Sequence, residues 1–117
     1  MSVKVDIAEL AQHLQHYGIA YLLTVGDDAR PHAVAVQPSF DGRALDVTGL
    51  GRQTRANLEA RPDVTLLWPP FEHGGYSLIV DGRGTLSESG VSVEPGRAIL
   101  HRPADDGTGH DCVPLER

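Results

Sequence analysis

A chain of 117 residues with 10 Lys+Arg against 16 Asp+Glu, a net charge of −6 and 40% hydrophobic residues has room for one packed core and little room for a separate catalytic module. The acidic balance argues against nucleic acid or an anionic membrane as the main partner. No apolar run of ~18 residues and no charged-then-apolar leader occurs, and the lone Cys112 rules out an internal disulfide, so a cytoplasmic, non-membrane protein is expected. Residues 1–117 read as a single domain with 101–117 as a tail, and any deep site in so small a domain is expected to be completed by a second subunit.

In chain order, Asp6 and Glu9 have capping-box spacing ahead of Ile7, Leu10, Ala11, Leu14 and Tyr17 at helical intervals, with Gly18 as the stop. Ile19 to Val25 reads as a strand, Gly26 to Pro31 as a turn, and His32 to Ser39 as a second strand. Asp41-Gly42 is a hairpin signal leading into a third strand, Arg43 to Thr48. A short helix from about Thr54 to Ala60 is broken by Arg61-Pro62. Asp63 to Trp68, Tyr76 to Ser87 and Val91 to Leu100 complete the set, with a bulge or bend expected at Asp81-Gly82-Arg83-Gly84. The expectation is a mainly β fold: a six-stranded antiparallel split β-barrel with Greek-key order, an N-terminal helix and a short helix after strand three. Closure of such a barrel removes the free edges that an open sheet exposes.

The most informative segment runs from Asp46 to Leu58, where a strand passes through Gly49-Leu50-Gly51 into the short helix carrying Arg52, Thr54 and Arg55. A helix start offers unpaired backbone N–H groups and a partial positive charge, and guanidinium groups bind phosphate oxygens in pairs. One reading is therefore a seat for a phosphorylated cofactor. The other places both arginines on the solvated face of the helix.

The order of these elements and motifs resembles the pyridoxamine 5'-phosphate oxidase-like, flavin-binding split-barrel family over about residues 5 to 101. The resemblance rests on the N-terminal helix, the strand ending in Thr24-Val25, the turn to Arg30-Pro31-His32-Ala33, the Thr48 to Asn57-Leu58 segment and the closing Arg61-Pro62-Asp63-Val64. It implies a homodimer with FMN, or alternatively the deazaflavin F420, in a groove between subunits. By that match Arg52, Thr54 and Arg55 hold the cofactor phosphate with Gln53 contributing. Many members have a lysine where this chain has Thr54. His32, Ala33, Val34 and Ala35 become ring contacts through backbone groups, which tune a flavin without a dedicated catalytic side chain. For the side chains of Val34 and Val36 the alternative is ordinary core. Trp68 reads either as a groove wall that stacks on a ring or as a strand-end core residue.

Catalytic residues are not readable. His110-Asp111-Cys112 lacks zinc-ligand spacing and does not make a nucleophile dyad, so no metal is expected, and Val113-Pro114-Leu115 reads as a docking tail. Motifs for dinucleotide folds, P-loops, serine hydrolases and zinc proteases do not occur. The expected function is an FMN-dependent oxidoreductase of unknown substrate. The alternatives are an F420-binding reductase, a non-catalytic module for flavin or another phosphorylated ligand, and a cofactor-free structural dimer. Pyridoxamine-phosphate oxidation itself would need a second phosphate clamp, for which only scattered arginines remain, Arg83, Arg97 and Arg102 being the ones that could form it.

Overall fold

The computed structural model describes residues 1–104, and the tail features at His110, Cys112 and Val113 to Leu115 lie outside them. Eight strands form one curled antiparallel sheet: β1 (Ser2–Val5), β2 (Ala20–Val25), β3 (Pro31–Val36), β4 (Ser39–Phe40), β5 (Leu45–Thr48), β6 (Asp63–Trp68), β7 (Ser77–Leu86) and β8 (Gly90–His101). Two helices, α1 (Leu10–Leu14) and α2 (Arg52–Ala60), accompany it. The sheet order is β3-β2-β6-β7-β8-β5-β4, and β1 pairs with the far half of β8. In β5-β8-β7-β6 the meander of three strands is rejoined to the fourth by the α2 connection, which is a Greek key. The sheet bends into a half-barrel whose opening lies between the free edge of β3 and the β5–α2 connection.

All six expected strands are present, and two short ones are added. β1 was hidden because Ser2 to Val5 precedes the helical pattern with only two apolar residues, yet it pairs Val5 with Ala98 and puts Val5 in the core. The expected second strand splits at Gln37-Pro38, since proline has no N–H for a ladder, and β4 resumes after it. β5 starts at Leu45 because Asp41 Oδ1 accepts from the N–H groups of Arg43 and Ala44, both at 2.8 Å, which keeps those residues in the turn. The same two bonds, Ala44 first, hold the Asp41 carboxyl below its usual range. The N-terminal helix is shorter than expected. Asp6 caps it by accepting from Ala8 N–H at 3.1 Å, but a single 3-10 turn (Ile7–Glu9) leads into only five α-helical residues. The bulge falls where the Asp-Gly-Arg-Gly run placed it, as a register shift between Asp81 and Gly82.

Strand alternation sorts the side chains onto two faces. On the inner face Val34, Leu22, Leu66, Val80, Ala98 and Val5 pair in one row. Leu10 from α1, Leu58 from α2 and Trp68 join the buried core around that row. On the outer face the matching row is Ala35, Tyr21, Leu67, Ile79 and Ile99. That face stays open in the single chain, with Tyr21 43% exposed. Among the described residues no helix is long and apolar enough to cross a membrane.

Candidate functional site

A cleft of about 480 Å³ occupies the opening of the half-barrel. One wall is strand β3 with its continuation, contributing His32, Val34, Ala35, Val36 and Gln37. The other is the connection from β5 into α2: Thr48, Gly49, Leu50, Gly51, Arg52, Gln53 and Thr54. β3 is an edge strand, so alternate backbone N–H and C=O groups along it have no ladder partner and face the opening.

The floor of the cleft is set by α2. Gly51 is its N-cap and supplies no capping side chain. The first intrahelical bond runs from Arg55 N–H to Gly51 O at 3.1 Å, so the N–H groups of Arg52, Gln53 and Thr54 have no partner within the helix. The approach to them is open. A Cβ built at Gly49 or Gly51 would meet no heavy atom within 4 Å, and Gly49 itself takes φ +72°, where a side chain would be strained. Arg52 is exposed beside this helix start and, among the described residues, is the only arginine or lysine lining the cleft. The result is a polar, positive end facing a strand edge whose side chains, Val34 and Val36, are apolar.

The helix is anchored by a short polar chain. Gln53 Nε2 donates to Asn57 Oδ1 at 2.8 Å, and Asn57 Nδ2 donates to Thr24 Oγ1 at 3.1 Å. Asn57 and Thr24 are both buried, at 3% and 1% exposure, so the bonds replace water that each would otherwise lose. Thr24 pairs with His32 across β2 and β3. The chain therefore fixes the distance between α2 and the β3 wall.

The structure brings six of the nine expected site residues into this one cleft: Arg52, Gln53, Thr54, His32, Val34 and Ala35. The other three are not among its lining residues. Ala33, expected to act through its backbone, sits in β3 with its side chain alternating onto the outer face, where it is exposed. Arg55 is half-buried, and its Nη2 donates to Ser87 O at 2.7 Å in the β7–β8 turn. Trp68 is 2% exposed and belongs to the core, because the strand alternation that buries Val64 and Leu66 carries it to the same face. Gly49, Leu50 and Gly51, inside the segment read as a phosphate seat but given no contact of their own, line the cleft as well, and so does Gln37, which the sequence did not mark. The signal for the first three was present in the two glycines before the helix, whose open flanks let a ligand reach the backbone.

The remaining arginines among the described residues lie outside the cleft lining. Arg97 Nη1 is 3.4 Å from Asp81 Oδ2, Arg83 is 3.9 Å from Asp63, and Arg102 lies 4.5 Å over the Tyr76 ring. Among the described residues no three His, Cys, Asp or Glu side chains come together in a way that could hold a metal ion.

Residues 7–106 match the sequence model of the pyridoxamine 5'-phosphate oxidase family. The chain belongs to that family. An uncharacterized protein of Mycobacterium bovis is 46% identical to it over 94% of both chains. Among solved structures, a FAD-binding protein from Mesorhizobium loti superimposes with a TM-score of 0.68 at 13% identity, over 88% of this chain and 98% of that one. An F420 reductase superimposes with a TM-score of 0.61 at 21% identity, over 73% of this chain and 91% of that one. These structures share the split-barrel fold with this family member.

Proposed function

We propose that the cleft holds a flavin-type cofactor by its phosphate end, FMN in the first place and F420 as the alternative, and that the protein is an oxidoreductase working as a homodimer. The observation that carries this reading is the shared cleft: an uncapped helix start, Arg52 and an apolar, unpaired strand edge face one space. Its volume lies within the ~300–1,000 Å³ common for small-molecule sites. A cofactor with an anionic tail and a flat, hydrogen-bonding ring fits this donor set. The N–H groups at residues 52–54 and the Arg52 guanidinium would take the phosphate, Gln53 and Thr54 would border it, and Val34 with the β3 backbone would face the ring. A flavin supplies hydride or electron chemistry when bound, and the chain's share is orientation and exclusion of water. The solved neighbours that are a FAD-binding protein and an F420 reductase support a ligand of this class.

A second copy of the chain has a place in this reading. The apolar outer row starts at Ala35, which also lines the cleft, and runs through Tyr21 to Ile99. Beside it lies a groove of about 550 Å³ between Leu23, Val25, Pro31 and the Asp81–Arg97 pair. A face with an apolar row and balanced charges suits a self-complementary interface, and it would bring the second copy to the rim of the cleft. Replacing Tyr21 by Arg is expected to leave a single-chain species in sedimentation where the parent forms a two-chain one. A parent that sediments as one chain at all concentrations would sink the dimer.

Oxidation of pyridoxamine phosphate itself has less support, since Arg83, Arg97 and Arg102 are engaged away from the cleft. A binding module without turnover is favoured by one observation. Among the described residues that line the cleft, His32 is the only His, Asp, Glu, Cys, Lys or Tyr, so these residues supply no paired acid and base. Titration with FMN and with F420, followed by melting temperature and then by turnover with a chemical reductant, separates the readings. Binding of either ligand should raise the melting temperature, and Arg52→Ala should weaken that binding by about tenfold or more while the apo protein melts as before. If neither ligand moves the melting temperature, the cofactor reading fails.

A further inference from the structure

We propose that Arg55 is a positioning residue: it props the start of α2 against the β7–β8 turn and does not touch the bound anion. This rests on the reading of the cleft as an anion seat, and it reassigns one of the two arginines that the segment offers for it.

The geometry is a circuit of backbone closed by one side chain, that of Arg55. Thr48, the last residue of β5, pairs with Gly90, the first of β8. Ser87 N–H donates to Gly90 O at 2.8 Å, closing the β7–β8 turn. Arg55 Nη2 donates to Ser87 O at 2.7 Å, and Arg55 N–H donates to Gly51 O at 3.1 Å. From Gly51 the chain returns through Leu50 and Gly49 to Thr48. This last stretch, which faces the cleft, lies in no helix or strand, and two of its three residues are glycine. It has little local rigidity of its own. Its ends are held from behind, at one side by the β5–β8 ladder and at the other by the charge-assisted bond of Arg55 to a carbonyl, the stronger kind of hydrogen bond.

Burial separates the two arginines. Arg52 is exposed and lines the cleft, whereas Arg55 is half-buried and is not among the lining residues. With its Nη2 donating to Ser87 O and no part of it in the cleft lining, the Arg55 guanidinium is placed to act on an anion there by fixing where the N–H groups of residues 52–54 point. Lysine at this position would keep a charged donor but lose the planar fork, so partial rescue is expected from it and none from methionine.

Two measurements on the full chain decide it. In ligand-free protein, Arg55→Met should speed amide exchange at residue 55 and at Ser87 by about tenfold, with partial recovery in Arg55→Lys and no change in Arg52→Met. Parental exchange rates in Arg55→Met would overturn the proposal. In FMN binding as a function of salt, Arg52→Met should flatten the salt dependence because a direct charge contact is lost. Arg55→Met should weaken binding by about tenfold yet keep the parental salt slope. A slope flattened as much as in Arg52→Met would place Arg55 on the anion and overturn the proposal. Should the parent bind neither FMN nor F420, the cofactor reading falls while the exchange rates still decide whether Arg55 is a prop.

Discussion

Gly90→Ala is expected to destabilise the protein by about 3 kcal/mol or more, the largest effect of any single added methyl group in the sheet. A Cβ at this position would press on the carbonyl of Val47, 2.9 Å from its carbon, and lie 3.0 Å from Thr48 Cα. Both neighbours are backbone in the β5–β8 ladder, where Val47 pairs with Val91 and Thr48 with Gly90. No rotamer change can relieve such a contact, so the ladder must open or the Ser87 to Gly90 turn must shift. Either movement breaks the circuit that holds the Gly49 to Gly51 stretch, and FMN binding should therefore weaken in whatever fraction stays folded. Urea unfolding checks the prediction, with Gly18→Ala as control because a Cβ there meets nothing within 4 Å. The control should fall within ~0.5 kcal/mol of the parent. Equal unfolding midpoints for Gly90→Ala and the parent would show that the two strands are not so close.

Gly90 also marks how far the amino-acid sequence could be read. In the sequence Ser89-Gly90 looks like ordinary turn punctuation, and nothing local says that the strand carrying Val47 will lie against it. Elements governed by local rules were legible. Asp63 to Trp68 is a short, mostly apolar run with Val64 and Thr65 β-branched, bounded by Pro62 and Pro69, and is found with those bounds. The Asp-Gly-Arg-Gly run foretold the bulge because a strand rarely carries two glycines so near each other without a register shift. Elements that depend on distant partners were not legible. β1 exists only because β8 offers it an edge at Ala98 to His101, almost a whole chain length away. The N-terminal helix was overread because its apolar spacing continues through Tyr17, whose hydroxyl instead donates to Tyr76 O at 2.9 Å.

The site divides in the same way. A helix start after Gly-Leu-Gly is a local feature, so the donors of Arg52, Gln53 and Thr54 could be anticipated. That the same cleft includes His32, Val34 and Ala35 followed from the family resemblance and agrees with the topology, since β3 is the free edge nearest α2. Arg52 and Arg55 could not be told apart. They are one helical turn apart, and only the tertiary placement of Ser87 shows that one of them is engaged. Asn57 also went unassigned as an anchor, although it links α2 to Thr24 thirty-three residues away.

Trp68 gives the second large effect and the clearest separation of a core role from a ligand role. Trp68→Ala should cost about 3–5 kcal/mol, a large share of the ~5–15 kcal/mol that holds a domain folded. The side chain is 2% exposed, pairs with Leu78 across β6 and β7, and belongs to the cluster that contains Leu10, Leu22 and Leu66. Removing it leaves a cavity in this cluster that the neighbours can fill only in part. In urea the midpoint should fall with an unchanged slope, because the surface exposed on unfolding stays nearly the same. Trp68→Phe keeps most of the volume and should lose less stability. Affinity decides the role. A Trp that stacked on a cofactor ring would show as weaker FMN binding in Trp68→Phe at parental stability, whereas a core Trp predicts the reverse, a lower unfolding midpoint with FMN affinity retained. The cleft walls contain no part of Trp68, whose side chain is packed in the core with Val64 and Leu66. A second subunit on the outer face would bury Tyr21 and Leu67 and leave Trp68 as it is, so the expected result holds for the single chain and for the dimer alike.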